Sequence, residues 1–328
     1  MTSVINIEIG SNEGGQRLDR FLRKYLPKAP LSFIYKAIRK DVKVNGKRAS
    51  GELILTEGDV VMLYVNEDKL RDYSETRKHK GVKQEFKIVY EDSHVLAVDK
   101  PFGLLTHGDG KEKKNHLTNQ VIDYLIEKKE YIPRIEKTFV PAPVNRLDRN
   151  TTGLVLFGKT ALGLRSLSEL IRNGEIEKYY LTIVKGKVTA PLHMFGVMSK
   201  DKEKNLVFLE DEPNNGKHME TAAEPLMTHG GYSLLKVRLF TGRTHQIRVQ
   251  LAAEGYPIIG DAKYGDAAGN KVIKAKTGLT TQLLHAYELK FGKLEGELAE
   301  LSERTLRAQP PEEFGRVQKV LMGQTKID

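Results

Sequence analysis

The chain contains no cysteine. That excludes a disulfide scaffold, a thiolate zinc site, an iron–sulfur cluster and a cysteine nucleophile. It also lacks any apolar stretch approaching the roughly 20 residues of a membrane-spanning helix. No Lys or Arg precedes Arg17 and no apolar run opens the chain, so nothing resembles a signal peptide; a cytoplasmic protein without membrane contact is expected. The nine histidines show no ligand spacing, and no metal is expected. What is present is ordinary: 328 residues, 39% hydrophobic and 29% charged. Such a chain is neither disordered nor fibrous and has the length of about two domains.

Acidic residues are scarce in one place. Between Gln16 and Arg48 stand eleven basic residues, opposed only by Asp19 and Asp41. This tenth of the chain carries +9 of the net charge of +10. Charge concentrated in this way is the footprint of a nucleic-acid-binding module. Leu18, Phe21, Leu22, Tyr25 and Leu26 share one helical face, with Arg17, Arg20 and Arg23 on the others. Asp19 is placed on the polar side, as an ordinary exposed carboxylate. Ser32 is expected to cap a second helix that buries Ile34, Ala37 and Ile38 and turns Lys36, Arg39 and Lys40 outward. Val42, Lys43 and Val44 alternate ahead of Asn45-Gly46, a hairpin turn signal, with Lys47 just beyond.

Residues 66–85 are mostly charged or polar and read as an exposed linker. Beyond Phe86, strand and helix patterns mix without the alternation of a doubly wound fold. The expected class is therefore α+β, with a mixed, largely antiparallel sheet flanked by helices.

Two strings mimic known motifs and are rejected. Residues 153–160 match G-x-x-x-x-G-K-T letter for letter. A phosphate cradle needs free amides in a loop, whereas Leu154, Val155, Leu156 and Phe157 read as a buried strand. His218-Met219-Glu220 opens like a zinc deaminase signature, but the cysteine pair is missing.

The tetrapeptide Arg-Leu-Asp-Arg occurs twice. The second copy, Arg146-Leu147-Asp148-Arg149, follows Pro141 and Pro143 and precedes Thr151-Thr152-Gly153 at the lip of that buried strand. A carboxylate held there by a core strand is a candidate catalytic group; an aspartate paired with arginine in a structural turn is the alternative. In Thr241-Gly242-Arg243-Thr244-His245-Gln246-Ile247-Arg248, Thr244 is expected to cap a helix ended by Gly255. Arg248, beside Leu251 and Ala252, then needs a carboxylate partner, for which Asp148 is a candidate, or serves with Arg243 to bind phosphate.

Residues 16–65 resemble the S4-like RNA-binding domain, through Arg17-Leu18-Asp19-Arg20-Phe21-Leu22 and Lys43-Val44-Asn45-Gly46-Lys47. Five further blocks resemble the RluA-type pseudouridine synthases. They are Arg146–Arg149 with Thr152-Gly153, Lys178-x-Tyr180, residues 241–248, Gly260-Asp261 with Tyr264-Gly265, and Leu284-His285-Ala286. Together with the basic domain they are most similar to the members acting on large-subunit ribosomal RNA. Asn145 departs from the pattern, since many members have histidine there.

The resemblance implies an S4-like domain over residues 1–65, a linker over 66–85 and a catalytic domain over 86–328. It implies isomerisation of uridine, with no cofactor since no atom is gained or lost. Asp148 would start glycosidic cleavage, Arg248 would hold it ionised, and Tyr180, beginning a strand, would stack on the base and help remove the C5 proton. Arg146, Arg149, Arg243 and His245, together with Arg17, Arg20, Lys36, Arg39, Lys40, Lys43 and Lys47, would contact the RNA. The expected partner is 23S ribosomal RNA or an assembly intermediate, bound by a monomer. A non-catalytic assembly factor would explain the basic domain without requiring Asp148 and Arg248 to meet. An RNA-dependent ATPase would require residues 153–160 to form a loop.

Overall fold

The structure, a computed structural model, describes residues 2–73, 81–133, 136–201, 206–210 and 217–323. The chain starts with β1 (Thr2–Glu8), α1 (Leu18–Tyr25), α2 (Leu31–Lys40), β2 (Val42–Val44) and β3 (Val60–Asn66). The three strands form an antiparallel sheet in the order β1-β3-β2. Leu18, Phe21 and Leu22 of α1 and Ile34 and Ile38 of α2 pack on Val42, Val44, Val61 and Leu63, the faces that helical and strand periodicity select.

The N-terminal unit departs from several local expectations. Helix α2 begins one residue before Ser32, after Pro30, whose fixed φ and missing amide suit a helix start. Asn45 and Gly46 adopt φ of +50° and +77°, as a tight turn requires, but only Val44 and Lys47 pair across it. The ladder partner of β2 is β3. Asp19 is buried: its amide bonds to Gly51, and its carboxylate takes two hydrogen bonds from Arg17 and one from the Arg20 amide. The linker is structured at both ends. Residues 67–73 form α3 (Glu67–Tyr73), because Leu70 and Tyr73, one turn apart, pack back on the domain. At the far end the amides of Val82 and Glu85 bond to Asp123 and Gln120. Residues 74–80 lie outside the described residues.

The larger unit runs β4 (Lys87–Glu91), β5 (Val95–Lys100), α4 (Leu117–Glu127), β6 (Ala142–Pro143), β7 (Thr152–Gly158), α5 (Ala161–Asn173) and β8 (Ile176–Lys185). It continues with β9 (Leu192–Asp201), β10 (Leu206–Glu210), β11 (Lys217–His229), β12 (Tyr232–Leu239), α6 (Gln246–Ala253) and α7 (Ala267–Thr277). It closes with β13 (Leu284–Phe291), β14 (Thr305–Arg307) and α8 (Glu312–Met322). One sheet joins the strands in the order β10-β9-β11-β12-β8-β13-β7-β5-β4, with β14 on β13 and β6 on β7. Among the described pairs only β13–β7 is parallel, so the sheet is mixed and largely antiparallel.

Alternate residues of the central strands enter opposite cores. Leu96, Val98, Val155, Phe157 and Val184 pack with α4 and α6 on one face. Val95, Ala97, Leu154 and Leu156 pack with α5 on the other, and Leu181 and Ile183 with α7 and α8. A sheet buried on both faces explains the unbroken apolar run of residues 154–157. It also disposes of the phosphate-loop reading, since β7 is buried throughout and residues 153–158 pair with β5. Lys159 of the look-alike motif is buried too, held by Glu91, Glu130 and the Asp92 carbonyl. Gly153 has φ +106°, and a Cβ there would stand 2.2 Å from the Ala286 carbonyl oxygen, so β7 and β13 meet backbone to backbone.

Candidate active site

Asp148 lies in the loop between β6 and β7, and four side chains fix that loop. Asn145 donates to the Leu154 carbonyl (3.1 Å) and accepts from the Leu156 amide (2.8 Å). Thr106, 2% exposed, donates to the Leu147 carbonyl and accepts from the Leu147 amide (3.0 and 3.2 Å). Lys100, fully buried at the end of β5, donates to the carbonyls of Arg149 (3.0 Å), Leu104 (2.8 Å) and Pro101 (3.1 Å). His285 of β13 closes the ring. Its Nε2 faces the Ala308 carbonyl, which can only accept, so the proton sits there and Nδ1 accepts from the Thr152 hydroxyl at 2.8 Å.

Arg248 rises from the first turn of α6. Its Nη1 donates to Asp148 Oδ2 at 2.8 Å, while Nε and Nη2 hold Asp261 at 2.7 and 2.9 Å. Burial alone would raise the Asp261 carboxyl, but Arg248 and the amides of Lys263 and Tyr264 keep it below the ordinary carboxylate range. The guanidinium is thus locked from behind and presents its free edge to Asp148. His245 Nε2 stands 3.8 Å from the same Asp148 oxygen, and its Nδ1 lies 3.0 Å from the Tyr264 hydroxyl. Burial lowers the His245 pKa despite the charge of Asp148, which favours the neutral ring.

Helix α6 starts two residues after Thr244, with His245 at φ +55° before it. The buried Gln246 side chain sets that start. It accepts from Thr241 and from the Arg243 amide, and donates to the Glu220 carbonyl and to Thr221 on β11. Thr244 therefore does not cap the helix.

Tyr180 lies in the middle of β8 rather than at its start, 8% exposed and between β12 and β13. Burial, and then the negative charge of Asp148, push its phenol above the ordinary range.

These groups share a cavity of about 530 Å³, lined by Arg146, Asp148, Tyr180, Arg243, His245 and Arg248 among others. That is within the usual range for small-ligand pockets. The wall also carries two residues to which the sequence assigned no role. Lys178 is 8% exposed, has no partner among the described residues, and has its pKa lowered by burial. Arg172 reaches the cavity from the C-terminal end of α5. Arg149 does not line the cavity and pairs instead with Asp109 at 3.2 Å.

The candidate RNA-binding residues of the N-terminal unit divide. Arg20, Lys36, Arg39, Lys40 and Lys47 are exposed. Arg17 is half-buried and paired with Asp19 and Glu52, and Lys43 lies over the Tyr64 ring. Asp261 was visible in the sequence only as a member of a short string, and Lys100 carried no signal of its own. Packing sets their partners: Arg248 lies 13 residues from Asp261, and Arg149 lies 49 residues from Lys100.

An RNA pseudouridylate synthase family model matches residues 94–253. The ribosomal large subunit pseudouridine synthase C of Escherichia coli (strain K12) is 36% identical over 300 residues, 88% of this chain and 89% of the relative. That of Vibrio vulnificus is 33% identical over 301 residues, with the same shares covered. Human RNA pseudouridylate synthase domain containing 4 shares the fold, with a TM-score of 0.54 at 21% identity over 71% of this chain and 92% of that one. Fold and sequence together define a pseudouridine synthase. The chain belongs to the RluA-type family of these enzymes, among relatives that bear the C-type name.

Proposed function

We propose that this enzyme converts uridine to pseudouridine in 23S ribosomal RNA of the large subunit, in the cytoplasm, with Asp148 as the catalytic carboxylate. The carrying observation is the 2.8 Å bond from Arg248 to Asp148 inside a cavity of nucleotide size. Reaction at a base requires the nucleotide to leave its stack, at a cost of a few kcal/mol. Stacking on Tyr180, worth about 1–3 kcal/mol per base, offsets much of that. The basic N-terminal unit, which we read as the S4-like RNA-binding domain, supplies affinity through exposed cations.

In this reading Asp148, oriented by Arg248, acts on the uridine to break its ribose–nitrogen bond. The base departs with the bonding electron pair on N1 and turns within the cavity; the C5–C1′ bond then forms, and the proton lost from C5 is matched by one gained at N1. Tyr180, on the wall of the same cavity, is assigned the stacking contact and help in removing the C5 proton, and His245 Nε2 stands 3.8 Å from the carboxylate. Asp148→Asn keeps the size of the side chain and removes its charge. Pseudouridine formation on ribosomal RNA is expected to vanish while RNA binding stays within twofold of the parent. Product formed by that variant at the parent rate would remove Asp148 from the mechanism.

A further inference from the structure

Residues 10–16, between β1 and α1, have no part in the chemistry above, yet the two units meet there. Asn12 Nδ2 donates to both Glu136 oxygens (3.1 and 3.0 Å), and its Oδ1 accepts from the amide of Ala161, the first residue of α5 (2.8 Å). Glu13, only 2% exposed, accepts from the amides of Lys137 (2.9 Å) and Thr138 (3.3 Å). Gln16 donates to the Thr138 hydroxyl at 3.1 Å. From the opposite side, Arg165 of α5 donates to the Gly14 carbonyl at 3.1 Å. An apolar contact can slide, whereas directional bonds from one short loop to two separate segments, residues 136–138 and the first turns of α5, fix orientation as well as contact.

Helix α5 links this joint to the cleft. Ala161 bonds Asn12 at one end, and Arg172 lines the cavity with Asp148 at the other. The rise between them is about 16 Å at 1.5 Å per residue. Basic side chains also flank the joint, Lys24 of α1 on one side and Arg165 of α5 on the other, around the carboxylates of Glu13 and Glu136 that form it. A surface of this kind fits the phosphates of a structured RNA.

We propose that the joint formed by Asn12 and Glu13 holds the basic face of the N-terminal unit at a set distance from the cleft, so that the enzyme selects its uridine by spacing from an RNA element bound to that unit. The proposal rests on the RNA substrate inferred above. Asn12 and Glu13 are positioning residues and touch no reacting atom.

The test uses Asn12→Ala combined with Glu13→Gln in the full chain, with folding checked by thermal melting. Two RNAs are compared: a 23S transcript long enough to reach both units, and a short stem-loop holding only the target uridine. For the long transcript KM is expected to rise tenfold or more with kcat unchanged, and both parameters on the stem-loop are expected to match the parent. Because the chain has no cysteine, Asn12→Cys and Glu136→Cys can be bridged by a short bismaleimide. The locked protein is expected to keep parent activity and selectivity on the long transcript. An unchanged KM in the loosened variant, equal losses on both RNAs, or a locked protein that loses activity would each overturn the proposal. A parent chain inactive on both RNAs would overturn the substrate reading and this proposal with it.

Discussion

Arg248 and Asp261 face each other through two parallel hydrogen bonds of 2.7 and 2.9 Å, both side chains buried, with Asp261 1% exposed. The pair consumes two of the three guanidinium nitrogens and aims the third at Asp148. Two-point pairing fixes the plane of the guanidinium, which a single contact does not.

Asp261→Asn therefore frees the arginine to rotate. A loss of roughly 100-fold in kcat is expected, about 2.7 kcal/mol of barrier, with RNA affinity nearly unchanged. Single-turnover kinetics beside a filter-binding titration would check this. A variant with parent kcat would show that Asp148 is positioned without Asp261.

Lys100→Met keeps the aliphatic volume but leaves three carbonyls without their donor, the buried one of Leu104 and the part-buried ones of Pro101 and Arg149. An unmet buried group costs about 1–3 kcal/mol, and the part-buried ones less. The melting temperature should drop by several degrees, and kcat should drop with it because the Asp148 loop loses one of its anchors. Burial holds the Lys100 ammonium down to about 7, opposed by Asp148 and Asp99. The clamp is therefore weakened above neutral pH, and the parent kcat should decline there while that of Lys100→Met stays flat.

His285 provides a pH dependence of stability. Burial pushes its pKa down from 6.5 to about 4, against the favourable bond to Ala308. The unfolded chain takes up a proton below pH 6.5 that the folded chain refuses until about 4. Stability is thus fully present above pH 6.5 and is lost as pH falls towards 4, by about 3 kcal/mol at 1.36 kcal/mol per unit. Denaturant titrations of the parent and His285→Gln over this range would show the slope reduced in the variant; equal slopes would assign the acid lability elsewhere.

Replacing Lys36, Arg39 and Lys40 together by Gln removes three exposed cations from α2. Affinity for ribosomal RNA should fall, and the log–log salt slope should flatten by ~0.7–0.9 for each phosphate that is no longer neutralised. Unchanged affinity and slope would show that this face is turned away from the RNA.

Much of the architecture was legible in local pattern. Helical spacing at Leu18, Phe21 and Leu22 and the apolar run at residues 154–157 respond to burial that repeats along the chain, which a sequence displays directly. The misreadings were of a different kind. Asp19 looked exposed because residues 50–53, which cover it, are distant in sequence, and Leu70 and Tyr73 were too few to announce a helix amid so much charge.

The amino-acid order by itself determined the basic N-terminal module, the class of sheet, and which carboxylate and arginine to suspect, since each rests on residue type at short range. Tertiary structure alone decided that Arg248 spans Asp148 and Asp261, that Lys100 and His285 hold the loop, and that Asn12 and Glu13 fasten the two units. Hydrogen bonds and ion pairs act over about 3 Å. Only the folded path of the backbone brings groups from such distant parts of the chain within that reach.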